Sequence, residues 1–277
     1  MKRILAAAVL ILSGCASPPP PAPPVSQSRL AETEARAAAM VRAGEHAAAA
    51  RYYDEALRIA VSIESPDAIA ENAINLSIVS QWLGRDADAR TALSSVLDNR
   101  RAVFPQRRIL QAELRRAIVE LAARNVSGAA AWAQRAGERC AGSCEYAAAI
   151  LNVQAQIALD AREHAQAARL AQSAAERARS RSDRAETANA LRILGRARLA
   201  LGEYPGAIDA LKQALDIDRE LADPRKILAD LTDLSRASRA AGNRLAADEY
   251  GERALAVSRA VHDARGVAEM EAQLRRP

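Results

Sequence analysis

Along residues 191–218 the apolar positions fall three or four apart: Leu191 and Leu194, then Ala207, Leu211, Ala214 and Leu215. That spacing places each set on one side of a helix. Gly202 and Tyr204 interrupt the two runs. A glycine there permits the positive φ with which many helices end. The pattern predicts two antiparallel helices joined by a tight turn. Gly195 and Ala207 are small where the helices would cross, and Leu191, Leu194 and Leu211 fill the space beside the crossing. Val, Ile and Thr never form the alternating runs that strands need, so no sheet is expected.

The same unit recurs. Gly44 is followed by Ala49, Ala56 and Leu57; Gly84 by Ala89, Val96 and Leu97; Gly242 by Ala247, Ala254 and Leu255. Two weaker copies put Arg124 before Ala129 and Ala136, and Arg162 before Ala167 and Ala174. The turn markers stand at 44, 84, 124, 162, 202 and 242, at intervals of 40, 40, 38, 40 and 40. In the third copy Val126, Ser127 and Gly128 shift the register by about one residue, which leaves two alignments open. Asp67, Asp183, Asp223 and Asp263 stand where helices should open, since a carboxylate there accepts free backbone N–H groups. Pro66 and Pro224 lie beside two of these starts, where proline is tolerated.

The unit at 191–218 resembles the tetratricopeptide (TPR) repeat. Leu191 replaces the usual Trp, and Arg198 the usual first-helix Tyr. The family's repeat is about 34 residues, so the forty-residue spacing is closer to its longer variants. The resemblance implies an all-α, right-handed α-solenoid of about six TPR-like hairpins over residues 28–262. Residues 263–277 would cap it, with Glu269, Glu271, Arg275 and Arg276 on a wet face, because a last repeat has no neighbour to cover it. The resemblance also implies that the first helix of each repeat lines a concave face. Its groove positions fall on Glu71, Ile74 and Ile78, on Asn152 and Gln156, on Asn189, Arg192 and Arg196, and on Arg236 and Arg239. The C-terminal half of that groove would be basic and suited to a carboxylate or an acidic segment of a protein partner. The alternative is a merely solvated helix face.

Composition agrees with close-packed helices. Ala dominates and aromatics are 3%, with Phe104 the single Phe, so the packing relies on small side chains instead of large rings. The formal charge is +5. Lys2 and Arg3 lie in a segment expected to be removed, which leaves 37 bases against 34 acids, interspersed. A nucleic-acid partner would need a clustered basic face. Only Lys2, Lys212 and Lys226 are lysines; the simplest account of the arginine excess is genomic base composition.

Met1, Lys2 and Arg3 form a short basic start, followed by nine apolar residues from Ile4 to Leu12. Nine are too few to span a bilayer, which takes about 20, but suit a signal sequence. Leu12, Ser13, Gly14 and Cys15 resemble the lipobox of bacterial lipoproteins. That resemblance implies a signal peptide over 1–14 and acylation, palmitate included, at Cys15. Ala16, where an Asp would favour the inner membrane, implies the periplasmic face of the outer membrane. Six of the eleven prolines lie between 18 and 24, so residues 15–27 are expected to form an extended tether.

No phosphate loop, nucleophile elbow or zincin helix occurs, and no catalytic residue, cofactor or metal site is expected. His46 and His164 share the slot of Tyr204, which makes them turn-packing residues; His262 lies at the last helix junction. Cys140 and Cys144 fall in the shortened interval, and a local disulfide is expected in an oxidising periplasm. Zinc would need further ligands, and redox catalysis usually a shorter spacing. The leading expectation is a non-enzymatic, membrane-tethered interaction scaffold for envelope assembly, serving pilus, secretion or cell-wall machinery. The alternatives are a peptidoglycan enzyme or glycan-binding accessory protein, and an end-to-end structural oligomer.

Overall fold

The computed structural model describes residues 24–141, 144–261 and 263–275. The leader, Cys15, the tether up to residue 23, His262, the side chain of Glu269, and Arg276 lie outside the described residues. Thirteen helices and no strand occur among those described. They run as six hairpins: α1 (Val25–Arg42) with α2 (His46–Ser62), α3 (Pro66–Trp82) with α4 (Asp86–Leu97), α5 (Gln106–Ala122) with α6 (Val126–Cys140), α7 (Ala147–Asp160) with α8 (His164–Ser180), α9 (Arg184–Ala200) with α10 (Tyr204–Glu220), and α11 (Pro224–Ala240) with α12 (Arg244–Ala260). Helix α13 (Ala264–Leu274) closes the array against α12.

The packing repeats with the sequence. Ala49, Ala89, Ala129, Ala167, Ala207 and Ala247, each five residues after its turn marker, are all fully excluded from solvent. An alanine lets the second helix of each hairpin lie close against the first. At Gly195 the fit is tighter still, since an added Cβ would sit 2.5 Å from Leu211 Cγ. Buried residues gather in successive patches along the array: Ala56, Leu93 and Phe104 in one, Leu110 and Val153 in the next, Leu194 and Ala210 in another, and Leu211, Leu234 and Met270 near the end. This is the linear core of a solenoid, where each hairpin covers its neighbour.

The turn markers behave alike whatever their side chain. Gly44, Gly84, Gly202 and Gly242 have φ between 71° and 79°, and Arg124 and Arg162 adopt 61° and 65°. The third repeat is in register: α6 begins two residues after Arg124, as α2 begins two after Gly44. Asn125 caps α6 by accepting from Gly128 N, so Val126–Gly128 form its first turn without a shift.

Two expectations need correction. The helix starts at Val25, so residues 25–27 are helical and not part of the tether. Pro24 is extended (φ −54°, ψ 146°) and its carbonyl already accepts from Gln27 and Ser28; beyond it no proline opposes a helix. Asp67 does not cap α3 either. Ser65 stands at that position, and Asp67 lies in the first turn, held by Arg108. Asp183, Asp223 and Asp263 do accept backbone N–H groups at the starts of α9, α11 and α13.

Candidate functional site

The odd-numbered helices face inward. Helix α3 meets α5, α5 meets α7, α7 meets α9, and α9 meets α11. Successive members are joined by polar side chains one repeat apart. Asn72 donates to Glu34 at 2.6 Å, Arg108 grips Asp67 with two bonds of 2.8 Å, and Asn152 donates to Glu186 at 2.7 Å. Arg196 donates to Asp233 at 2.5 Å and Lys226 to Asn189 at 2.6 Å. These rungs fix the angle between repeats.

Five of these helices line an open channel of about 360 Å³. One wall is apolar, made by Leu114, Ile118 and Leu121 of α5 with Val153 of α7. The other is polar, made by Asn152, Gln156, Glu186, Asn189, Arg192, Arg196 and Lys226, and Gln81 of α3 adds to it. Of the positions singled out by sequence, Asn152, Gln156, Asn189, Arg192 and Arg196 therefore come together around one space. Arg236 continues the row of Gln156 and Arg196 on α11, forty residues on, but does not line the channel; it contacts Asp233. Arg239 turns away to Asp248 of α12 at 2.7 Å. Glu71 is engaged by Arg108 at 2.5 Å, outside the channel.

The basic character expected of this region is moderated. Arg192 is only 5% exposed and lies between two carboxylates, bonding Asp218 of α10 and, at 2.6 Å, Asp230 of α11. With both acids ionised, the cluster around this one guanidinium would carry one negative charge in excess. Burial, opposed by Arg192 and reinforced by Asp218, raises the Asp230 carboxyl to about 7. Its Oδ2 is buried without a hydrogen-bond partner.

Two other cations differ. Arg115 of α5 bonds Ser77 and Gln81, and Lys226 bonds Asn189. Neither forms an ion pair among the described residues. Burial lowers both, Arg115 to about 10 with only Asp86 opposing, and Lys226 with the help of Arg192's charge against the opposing pull of Asp218, Asp223 and Glu186. A desolvated cation that no carboxylate contacts directly is where an anionic group gains most. Sequence reasoning missed Glu186, Lys226, Arg115 and Gln81. The first two were accessible: they share a repeat position forty residues apart, one turn before the groove row. Arg115 and Gln81 gave no comparable signal.

The Cys140 and Cys144 sulfurs are bonded, with Cα atoms 5.1 Å apart, and the bridge lies where α6 ends. His46 and His164 are the first residues of α2 and α8. Among the described residues no group of three or more His, Cys, Asp or Glu side chains is placed to hold a metal ion. No described helix is long and apolar enough to cross a membrane.

The family described as tetratricopeptide repeat matches residues 146–220. No curated protein matches the chain in sequence. Solved structures resemble it in fold. BtubC (BKLC) from P. vanneervenii is 19% identical with a TM-score of 0.56, covering 87% of this chain and 94% of its own. A STAND protein with a tetratricopeptide repeat sensor from Pyrococcus horikoshii is 16% identical with a TM-score of 0.65, covering 90% of this chain and 37% of its own. A Rap protein complexed with competence and sporulation factor is 15% identical with a TM-score of 0.65, covering 89% of this chain and 70% of its own. With a matched segment over residues 146–220, forty-residue hairpins and inward-facing odd helices, the chain has the fold of a tetratricopeptide-repeat solenoid.

Proposed function

We propose that the protein is a non-catalytic interaction scaffold that holds a segment of a protein partner in its central channel, at the periplasmic face of the outer membrane. The carrying observation is the channel itself, half apolar and half polar, with the buried Lys226 on its lining and Arg115 bonded to the lining residue Gln81. An apolar wall opposite fixed polar groups suits an extended segment bearing a carboxylate, such as an acidic stretch or a chain terminus. The Rap protein complexed with competence and sporulation factor supports the idea that such a solenoid holds a factor. Fold likeness alone does not name the partner.

The location rests on sequence. Cys15 in its lipobox-like setting would carry the acyl chains, the proline-rich segment would hold the solenoid off the lipid, and envelope assembly by pilus, secretion or cell-wall machinery is the matching process. A disulfide at Cys140–Cys144 suits an oxidising compartment.

Affinity capture of the membrane-bound protein tests the scaffold. A filling substitution, Gln156→Trp, removes no buried ion pair and is expected to abolish co-purification of the partner. The same change at Gln166, on the outer cleft between α6 and α8, is expected to leave it intact. Equal capture by both variants overturns the channel as the binding site. Cys15→Ser is expected to release the protein from membranes and to abolish palmitate incorporation; a Cys15→Ser chain that still labels with palmitate overturns the anchor.

A further inference from the structure

His46, Trp82 and Arg225 meet in space although 179 residues separate the first from the last. The Arg225 guanidinium lies 4.1 Å from the Trp82 ring centroid, and one of its nitrogens donates to His46 Nε2 at 2.9 Å. The His46 and Trp82 ring centroids are 5.0 Å apart. The extensive helix contacts of the solenoid run between neighbours or next neighbours. Here a side chain at the start of α11 reaches back to the start of α2 and the end of α3, so one bridge ties the sixth hairpin to the first two. Both sides of the bridge adjoin the channel, since Gln81 precedes Trp82, Lys226 follows Arg225, and both line the space.

We propose that Arg225, Trp82 and His46 form a clasp across the mouth of the channel, and that releasing it is what admits a partner segment. The proposal rests on the channel being the partner's site. The clasp is built to open. Trp82 is 41% exposed and Arg225 lies on the surface, so its two interactions compete with water. Trp82 is the last residue of α3 and Arg225 the second of α11, so separating them unpacks neither helix. The bond also needs His46 neutral at Nε2. Burial, and then the charge of Arg225, hold this imidazole below its ordinary range. Trp82, from α3, brings no charge of its own.

The test reports access to the channel without any partner. A thiol introduced by Gln156→Cys is labelled with a small maleimide and with a polyethylene-glycol maleimide, and the parent chain's own labelling is subtracted. Arg225→Ala is expected to speed the bulky reagent roughly five- to tenfold, the scale of losing one exposed cation–π contact and one hydrogen bond, and Trp82→Ala roughly two- to fivefold, the scale of the cation–π contact alone. The small reagent and a control, Arg219→Ala on α10, should show no change. Equal bulky labelling with and without Arg225→Ala overturns the clasp. A second readout does not depend on the introduced thiol. Trp132→Phe leaves Trp82 as the sole tryptophan, and its quenching by acrylamide should rise in Arg225→Ala; unchanged quenching also overturns the proposal. Neither assay uses a partner. A clasp that opens as described beside a failed capture experiment would refute the scaffold alone, and the reverse would refute the clasp alone.

Discussion

At the scale of single residues, the turn markers separate what the backbone requires from what the side chain contributes. Six positions take up a left-handed conformation after the first helix of their repeat, and two of them are arginine. A left-handed L-residue costs roughly 1–2 kcal/mol that glycine avoids, partly offset by glycine's greater freedom in the unfolded chain. Arg162 is exposed, so Arg162→Gly is expected to stabilise by about 0.5–1 kcal/mol, seen as a higher urea midpoint at an unchanged slope. A lower midpoint would show that the Arg162 side chain contributes more than its backbone costs. The opposite case is Gly195, where a new Cβ would meet Leu211 Cγ at 2.5 Å and the Ala207 carbonyl at 3.2 Å. Overpacking of this kind costs roughly 1–3 kcal/mol; Gly195→Ala should lower the midpoint accordingly, and an unchanged midpoint would mean that α9 and α10 slide apart freely. Both sites were legible in the sequence, because small residues recurring at a fixed interval leave a mark that survives replacement of glycine by arginine. The left-handed residues between repeats, Glu64, Ala141, Ser182 and Ala222, were not legible, since nothing in those side chains favours that conformation.

At the scale of elements, the arginine excess gains a structural use. Arg90 and Arg139 each grip a carboxylate on another helix with two bonds, Glu120 and Glu113 respectively. A planar fork makes such paired bonds and lysine does not. The sequence showed the abundance but not these pairs, because a contact between helices depends on how the repeats are rotated and not on spacing alone. Glu120 is the most connected of them, taking Arg90 of α4, Arg116 of its own helix and Asn125 at the start of α6. Burial alone would raise its carboxyl, but these bonds outweigh burial and hold it down to about 2. The unfolded chain would ionise it near 4.5. A depressed acid stabilises fully above the unfolded value, and that contribution disappears as pH falls from about 4.5 towards 2. For a side chain 4% exposed the displacement corresponds to about 3 kcal/mol. Glu120→Gln should lose stability of that order at pH 7 and flatten the acid limb of the unfolding curve below pH 4.5; an acid limb of unchanged steepness would assign the acid sensitivity to other carboxylates.

At the scale of the whole molecule, a solenoid is stabilised by nearest-neighbour interfaces, so damage should stay local. Sequence periodicity delivered the thirteen helices and the inward row, because both follow from the repeat. It could not deliver the bridge through Arg225 or the cluster around Arg192, where Asp218 and Asp230 come from the two helices that follow α9. That cluster makes the sharpest test of locality. Removing the guanidinium leaves two buried carboxylates facing each other, a loss of roughly 3–5 kcal/mol for a broken buried pair. Arg192→Leu keeps the volume apolar and cannot compensate either acid. Hydrogen exchange should then quicken in α9, α10 and α11, in α12, which packs on α11, and in α13, which packs on α12. Amides in α1 to α6 should keep their protection, because the clasp at Arg225 is too weak to transmit the loss. Uniform loss of protection from α1 to α13 would mean that the bridged superhelix unfolds as one unit, and that the bridge, not stacking, governs its cooperativity.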